Sequence, residues 1–371
     1  MAEKPKNVIV PKNVTDSLRQ IFYPGSKQDI VSLDMVQEIR IVDNKISFTL
    51  VFQRSDDPNQ VKVVKECEEK LVSELGDIDI KGNISVKSMH QMERPVLPGV
   101  KNIIAVASGK GGVGKSTIAL NLAIALSKTG AKVGLIDADI YGPSIPMMVG
   151  AKDVHPYSEK VDGREMLVPI ERYGLKILSI GFFIKEEDAL VWRGPMASNA
   201  LKQLITESHW GELDYLLIDL PPGTSDIHLT LVQTVPVTAA IVVTTPQAVA
   251  LSDVIRGTNM FKNKSVDVPV LGMVENMAWF TPKELPDNKY YIFGKDGGKK
   301  LAEKMNLPLL GQIPIVQSIC ESGDNGVPVA VDENSIIGKE FMALAKATIK
   351  GIQQRNESRK PTHKVDIKHK K

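Results

Sequence analysis

A glycine-rich loop that ends in a lysine and two hydroxyl residues could bind phosphate. Residues 109–117 read GKGGVGKST and match the pattern G-x-x-x-x-G-K-[ST] in full. Glycines let backbone N–H groups close around phosphate oxygens, and the helix expected next points its positive end at the same anion. The pattern therefore predicts an ATP site. Its predicted nucleotide-binding residues are Gly109, Lys110, Gly111, Gly112, Val113, Gly114, Lys115, Ser116 and Thr117.

Three residues of this loop have distinct expected roles. Lys115 bridges the β- and γ-phosphates, Ser116 binds Mg²⁺, and Thr117 lies near the α-phosphate. The loop also fits the dinucleotide pattern G-x-G-x-x-G through three of its glycines. That alternative leaves Lys115 and Ser116 unexplained. It also needs an acid about 20 residues on, whereas Asp137 comes 28 residues after Gly109.

Acidic residues at the ends of two predicted strands are expected to hold the metal and the attacking water. Asp219 closes an apolar run and would face Mg²⁺. Asp137 and Asp139 follow another apolar run: Asp137 is expected to support the Mg²⁺ shell, and Asp139 to orient the water. Gly223, just after Asp219, could offer its N–H to the γ-phosphate. The alternative is that these acids only cap turns.

The general phosphate-loop pattern does not require a lysine at position 110 and assigns Lys110 no role. Near the start of the loop, it could reach a phosphate across a two-fold axis and neutralise transition-state charge, as an arginine finger does in trans. Lys110, Lys115 and Asp139 are therefore the candidate catalytic residues for Mg²⁺-dependent ATP hydrolysis, with Lys110 acting from a second copy of the chain. A solvated surface lysine is the alternative for Lys110.

The elements that must position these residues form the second of two predicted domains, at residues 101–354. Short β-rich runs alternate there with helical stretches, which is typical of an α/β fold with a mostly parallel sheet covered by helices on both faces. The strands are expected at residues 103–107, 133–136, 215–220, 239–244, 268–274 and 309–313, with a last helix at 336–352. Residues 355–371 predict a basic, flexible tail.

The first domain is predicted to be a small α+β unit at residues 1–88. Its patterns give the order α-β-β-α-β, with elements at 14–23, 36–42, 46–52, 61–75 and 79–89. Residues 89–100 contain two prolines and a glycine without a regular period, which predicts an interdomain linker.

Composition argues against several classes of function. The 371 residues carry a net charge of +2, which gives no electrostatic reason to expect nucleic acid. No run of 18 apolar residues predicts a membrane span, and the start lacks the apolar core of a secretory signal. Cys67 and Cys320 are the only cysteines, so we expect a cytoplasmic protein without a disulfide framework. Two cysteines also cannot complete a four-cysteine metal site in one chain.

Together these segments resemble the deviant Walker A ATPases, through Lys110, the DAD triplet at 137–139 and DLPPG at 219–223. Within that group, further segments resemble the Mrp/ApbC iron–sulfur carriers. They are DIYGPS at 139–144, WRGPM at 192–196, LPPGTSD at 220–226, TTPQ at 244–247, VENM at 274–277 and IFG at 292–294. The first domain resembles the MIP18-like domain often fused ahead of this ATPase.

The resemblance implies a homodimer that binds and hydrolyses ATP and delivers iron–sulfur clusters to apoprotein clients or works with assembly proteins. By the same resemblance Asn276 contacts the adenine, as does the backbone near Pro314. Taken alone, Asn276 would be a turn residue at a strand end. Neither nucleic acid nor a membrane is an expected partner.

The sequence departs from the family where a cluster should bind. The carriers place C-x-x-C shortly after the N-M segment, but residues 278–291 contain no cysteine, and Pro282 and Leu285 stand near that position. Cluster ligands could come from Cys320 or Cys67 pairs across the dimer, or from non-cysteine groups. Cys320 is the candidate ligand, and a buried free cysteine is the alternative for it. An ATP-driven dimer switch that recruits partner proteins and holds no cluster is therefore the competing function.

Overall fold

A computed structural model describes residues 10–26, 28–42, 44–54, 57–90, 96–161, 163–183, 194–282, 284–285 and 287–365, with the backbone alone at 53–54 and 88–90. The chain divides into two compact units, residues 1–95 and 96–371. Asp43 of the predicted hairpin turn, Trp192 and Arg193 of the WRGPM segment, and the last six residues of the tail lie outside the described residues.

The first unit has the predicted order of elements around a three-stranded sheet. Its elements are α1 (Pro11–Leu18), β1 (Val36–Val42), β2 (Lys45–Arg54), α2 (Gln60–Leu75) and β3 (Ile84–His90). Strand β2 is central, antiparallel to β1 and parallel to β3. Helix α1 begins earlier than predicted because Pro11 suits the first helical turn. Strand β3 begins later because Ile80 and Asn83 close a turn before it.

Both helices of the first unit contribute to one apolar core with β2. Leu18 from α1 and Leu71 from α2 are buried in the same cluster as Phe48 and Phe52 from β2. Cys67 of α2 is fully buried in this cluster, and burial raises the pKa of its thiol to about 12. Cys67 therefore acts as a small apolar core residue.

The second unit contains an eight-stranded sheet with the order β13-β12-β11-β4-β10-β5-β9-β8. Its strands are β4 (Val100–Ser108), β5 (Val133–Asp137), β8 (Ile170–Arg172), β9 (Leu175–Ser179), β10 (Leu213–Asp219), β11 (Ala239–Thr244), β12 (Val270–Phe280) and β13 (Leu309–Ile315). All neighbours are parallel except β8 and β9. The predicted α/β class with a mostly parallel sheet is confirmed. Strands β8 and β9 and a separate hairpin, β6 (Ser158–Val161) and β7 (Arg164–Leu167), were not predicted.

Helices cover both faces of this sheet. They are α3 (Lys115–Lys128), α4 (Ile145–Met148), α5 (Gly194–Thr206), α6 (Asp226–Thr234), α7 (Ala248–Lys262), α8 (Gly297–Lys304), α9 (Gln317–Asp324) and α10 (Ile336–Ser358). Alternate residues of β4 belong to two different cores: Ile104 and Val106 pack with α3 and α10, while Ile103 and Ala105 pack with α5 and α6. A central strand buried on both faces explains the continuous apolar run in the sequence.

The boundary between the units differs from the predicted linker at residues 89–100. Val96 and Leu97 pack against the core on the α5 and α6 side, and Val100 already pairs with Leu213 in the sheet. Gly99 lets the chain pass the backbone of Gly211, because a Cβ there would lie 2.4 Å from a carbonyl oxygen. The apolar and glycine residues of this stretch are therefore part of the second unit.

No helix within the described ranges is long and apolar enough to cross a membrane.

Candidate nucleotide-binding site

The phosphate-loop sequence lies at the carboxyl end of the central strand β4 and leads directly into α3. Strand β4 lies between β10 and β11, and β5 follows β10, so the ends of β4, β10 and β5 meet at one edge of the sheet. Ligands of open α/β sheets bind at this edge. Sheet order therefore brings together Ser108, Asp219 and Asp137, which are far apart in sequence.

Glycine is needed at particular positions of the loop. Gly112 and Gly114 have φ values of +80° and +77°, which side chains rarely adopt. At Gly109 a Cβ would lie 2.3 Å from the backbone of Asp253 and Val254 in α7. The loop encloses a cavity of about 220 Å³ that is also lined by Asp139, Ser144 and Pro222.

The loop lysine forms the centre of a buried charge cluster. The Lys115 ammonium donates to Asp219 Oδ1 at 2.7 Å and lies 3.5 Å from Asp139 Oδ2. The Ser116 hydroxyl donates to the other Asp219 oxygen at 2.5 Å. The side chains of Lys115 and Asp219 are 5% and 0% exposed. Removing one partner would leave the other charge buried and unpaired, which is costly.

Asp137 lies beneath this cluster and is fully buried. Its carboxylate accepts hydrogen bonds from the Ser179 hydroxyl at 2.9 Å and from the backbone N–H groups of Asp139 and Ile145, each at 3.2 Å. Burial, and then the negative charge of Asp219, raise the pKa of Asp137. Asp137 thus orients the segment that carries Asp139 and does not line the cavity.

Asp139 is the acid that borders the phosphate cavity. Its side chain is 13% exposed. Partial burial raises its pKa, and the nearby Lys115 ammonium opposes that rise. A carboxylate that is more basic than usual, and that borders the space next to the loop, has the properties of a general base.

Gly223 and Asn276, which were expected to contact the γ-phosphate and the adenine, are both hydrogen-bonded to carbonyl groups of the protein. The N–H of Gly223 donates to the Ser108 carbonyl at 2.8 Å, so it is already bonded, and the neighbouring Pro222 lines the phosphate cavity instead. The Asn276 side-chain amide donates to the Val113 carbonyl of the loop at 2.9 Å. Asn276 is 6% exposed and lines a second cavity.

This second cavity, which we call the nucleoside cavity, has a volume of about 560 Å³ and adjoins the phosphate cavity. Gly114, Thr117 and Ser144 line both cavities. Apolar walls suit a flat ring system, as in most small-molecule sites. Sequence reasoning missed several of these wall residues, namely Met147, Met148, Val316 and Ile319.

Cys320 also lines the nucleoside cavity. It lies on α9 and is exposed, so the alternative of a buried free cysteine is wrong. Its Sγ atom lies 3.8 Å from Asp324 Oδ2. Pro282, near the expected C-x-x-C position, lines a different cavity of about 970 Å³, to which Cys320 does not contribute. Across the described ranges, no group of three or more His, Cys, Asp or Glu side chains could hold a metal ion.

His228 was not expected from the sequence, although it follows the LPPGTSD segment. It lies at the start of α6, is fully buried, and its Nδ1 accepts from the Ser225 N–H at 3.2 Å. Its Nε2 has no hydrogen-bond partner. Burial lowers the pKa of His228 to about 4, so the imidazole is neutral in the folded protein.

This buried imidazole predicts a loss of stability in acid. The folded pKa lies below the unfolded value of about 6.5, so unfolding takes up a proton and the free energy of unfolding falls as pH drops from about 6.5 to 4. The fall due to His228 should reach roughly 2–3 kcal/mol at pH 4.5. His228→Gln, which keeps an acceptor for Ser225, should show a smaller loss in urea unfolding between pH 7 and pH 4.5. The exposed His363 provides the control, because His363→Gln should behave as the parent does. Equal acid sensitivity in all three proteins would contradict this prediction.

Both units of the chain match known protein families. Residues 99–349 match the model of the NUBPL iron-transfer P-loop NTPase family, and residues 11–85 match that of an iron-sulfur cluster assembly protein family. The iron-sulfur cluster carrier protein of Synechocystis sp. is 42% identical over 333 residues, covering 89% of this chain and 94% of the relative. That of Escherichia coli K12 is 44% identical over 334 residues, covering 89% and 88%. The iron-sulfur cluster transfer protein NUBPL of Dictyostelium discoideum is 45% identical over 265 residues, covering 71% and 80%.

Among solved structures, a nucleotide-binding protein of Archaeoglobus fulgidus in complex with ADP is similar with a TM-score of 0.56. It is 36% identical, and the match covers 66% of this chain and 93% of that chain. The sheet, the loop geometry and these matches define a P-loop NTPase with a second, smaller unit. The chain belongs to the NUBPL iron-transfer P-loop NTPase family.

Proposed function

We propose that this protein is a dimeric ATPase that carries iron–sulfur clusters and delivers them to apoproteins in the cytoplasm. The observation that carries the ATPase part is the contact of Lys115 and Ser116 with Asp219 beneath a complete phosphate loop. The cargo is supported by relatives 42–45% identical that are named iron-sulfur cluster carrier or transfer proteins.

The residues at the loop fit a Mg²⁺ ion. Ser116 and Asp219 present a hydroxyl and a carboxylate side by side, and both are hard oxygen ligands. Mg²⁺ usually takes one or two protein oxygens and completes its shell with water and substrate phosphates, which agrees with the absence of a larger ligand cluster among the described residues. When bound with nucleotide, the ion would neutralise charge on the β- and γ-phosphates. Asp137 would support this shell by fixing the backbone around it.

Lys115 would exchange partners when nucleotide binds. In this structure its ammonium neutralises Asp219. Phosphate oxygens held by the loop would offer the ammonium another anionic partner. Asp219 is buried and needs a cation beside it, which Lys115 supplies here and a bound Mg²⁺ ion could supply as well.

Hydrolysis would use Asp139, Lys110 and Gly223. Asp139 would orient a water molecule beside the γ-phosphate and accept its proton. Lys110 lines the phosphate cavity at the loop's start, and the Lys110 of a second copy would add positive charge in the transition state. Gly223 would report the γ-phosphate, because its N–H must leave the Ser108 carbonyl in order to bind a phosphate oxygen.

The cargo would be held loosely. Iron–sulfur clusters are held mainly by thiolates, and the buried Cys67 cannot present its sulfur. Cys320 is the one exposed thiol of the two cysteines, so a two-fold dimer presents two thiolates at most. Small thiols or oxygen and nitrogen ligands would complete the shell, which favours transfer over storage.

The test is anaerobic reconstitution of the purified protein with ferrous iron, sulfide and a small thiol. We expect iron and sulfide to bind in comparable amounts, to be lost on desalting, and to reach an apoprotein acceptor such as an apo-ferredoxin. ATPase activity should not require iron, because neither cysteine lines the phosphate cavity, but a cluster on Cys320 would compete with nucleotide for the nucleoside cavity. Cys320→Ser is the matched variant and should bind less iron.

The result that would reject cargo carriage is iron and sulfide binding no greater than that of a cysteine-free control protein. With ATPase activity intact, that result would favour an ATP-driven switch that recruits partner proteins. A stable cluster unaffected by Cys320→Ser would instead place the ligands elsewhere in the chain.

A further inference from the structure

The nucleoside cavity places a thiol beside the phosphate loop. Cys320 lines this cavity from α9, and Gly114 and Thr117 of the phosphate loop line it as well. Gly114 and Thr117 also line the phosphate cavity. The Cys320 sulfur therefore borders the space that the base and sugar of a nucleotide would fill when its phosphates lie in the loop.

Two observations that do not involve the thiol point to a ligand in this cavity. The first is its continuity with a complete phosphate loop, whose Val113 carbonyl accepts a hydrogen bond from the buried Asn276 of the cavity wall. The second is the solved relative from Archaeoglobus fulgidus, 36% identical, which holds ADP. The thiol thus borders a ligand site and is not an isolated surface cysteine.

The chain has only one thiol that can react in the folded state. Thiolates, not thiols, are the nucleophiles, and Cys67 is fully buried with its pKa raised to about 12. Cys320 is exposed, and its sulfur is within 3.8 Å of one neighbouring polar group, the Asp324 carboxylate. This carboxylate repels anionic reagents, so neutral or cationic reagents should reach Cys320 more readily.

We propose that Cys320 is a modification site and that a group attached to its sulfur excludes nucleotide from the nucleoside cavity. This inference rests on the proposed nucleotide function of the cavity. It requires that a group attached to the Cys320 sulfur fills the part of the cavity that the base or sugar would occupy, because Cys320 lines that cavity. The nucleotide site is then sensitive to thiol-directed electrophiles and to low-molecular-weight disulfides.

The reversible form of the reaction is thiol–disulfide exchange. The Cys320 thiolate attacks one sulfur of a small disulfide, the new S–S bond forms, and the other half leaves as a thiolate. Cys320 is oxidised, the departing half is reduced, and the Cys320 proton goes to solvent. A dithiol such as dithiothreitol reverses the exchange and should restore the site.

The experiment labels the full-length protein with N-ethylmaleimide, which is neutral, and separately with cystamine, which is a cationic disulfide. Mass spectrometry should find one label per chain, located at Cys320. The labelled protein should bind a fluorescent ATP analogue at least tenfold more weakly than before labelling. Saturating Mg²⁺–ATP should slow labelling at least tenfold. Dithiothreitol should restore binding after cystamine but not after N-ethylmaleimide.

Single-cysteine variants show which of the two cysteines is responsible for the effect of labelling. Cys67→Ala should lose nucleotide binding on labelling, as the parent does. Cys320→Ser should show the same affinity after the reagent as it showed before the reagent. Unchanged affinity in a parent protein labelled fully at Cys320 would overturn the inference while leaving the proposed function intact. If the unlabelled protein binds no ATP, the proposed nucleotide function fails, and this inference fails with it.

Discussion

A Lys115→Ala chain should lose measurable ATP turnover and should bind ATP at least about 100-fold more weakly than the parent. The lysine is the only cation within 4 Å of Asp219 among the described residues, and its side chain is 5% exposed. In the proposed mechanism the same ammonium holds the β- and γ-phosphates. The variant therefore leaves both Asp219 and these phosphates without their cation. Isothermal titration with ATP and a phosphate-release assay measure the two effects.

Thermal unfolding gives a second readout of the same prediction. A ligand at about 100 times its dissociation constant adds roughly 2.7 kcal/mol to the folded state. The parent should therefore show a clear rise in Tm with Mg²⁺–ATP, and Lys115→Ala should show almost none. Turnover at the parental rate in the variant would remove Lys115 from the site.

A control is needed because Lys115→Ala leaves Asp219 buried without its cation. Breaking a buried pair from one side usually destabilises by about 3–5 kcal/mol. The double variant Lys115→Ala with Asp219→Asn removes both charges and should recover much of that stability. It should still fail to bind ATP. Recovery of binding in the double variant would mean that the single variant failed only through misfolding.

The same variant tests whether Lys110 acts in trans. Lys110→Ala subunits paired with each other should hydrolyse ATP poorly. A mixed dimer of Lys110→Ala and Lys115→Ala subunits should regain one working site, since it combines an intact Lys115 loop with the partner's intact Lys110. Mixed dimers that form but remain inactive would indicate a role for Lys110 within its own subunit.

The phosphate loop could be predicted from the sequence because its chemistry is local. All of its parts lie within nine consecutive residues. They include the positive φ values of Gly112 and Gly114 and the hydroxyl of Ser116. Asp219 and Asp137 were also predictable, because apolar strand patterns end at them and parallel strands align their ends at one edge. The contact of Lys115 with Asp219 then follows from sheet order.

The nucleoside cavity could not be predicted in the same way. Its walls come from α4, β12, residues 292–293, β13 and α9. Asn276 and the backbone near Pro314 were expected there only through the family resemblance, because none of these segments carries a local signature of ring binding. The exposure of Cys320 depends on which side of the short helix α9 packs, and the sequence leaves that open. The bond between Gly223 and Ser108 likewise depends on a nonlocal approach of two loops.

The small strands at the sheet edge were missed for a related reason. Strands β8 and β9 are three and five residues long, and β8 is largely exposed. Such short segments have too little apolar periodicity to be told from loops. Strand β9 nevertheless matters for the site, because its last residue, Ser179, donates to the Asp137 carboxylate.

Asp139→Asn is expected to stop hydrolysis while preserving nucleotide binding. The amide keeps the size of the side chain but cannot take a proton from water, and general-base catalysis typically contributes about 10²–10⁴-fold. We therefore expect kcat to fall at least 100-fold. The affinity for a non-hydrolysable ATP analogue should change little, because Asp139 lies 3.5 Å from Lys115, whereas Asp219 is 2.7 Å from Lys115 and accepts the Ser116 hydroxyl hydrogen bond.

Asp219→Asn is the matched comparison, since its carboxylate contacts both Lys115 and Ser116. That variant should weaken Mg²⁺-dependent binding itself. The pH profile adds a third measurement: burial raises the pKa of Asp139, so the parental kcat/KM, which reports the free enzyme, should fall on the acid side at a higher pH than an ordinary carboxyl group would give. Residual activity of Asp139→Asn should lack this acid limb. Equal loss of affinity in both variants would show that Asp139 and Asp219 do not have separate roles in this site.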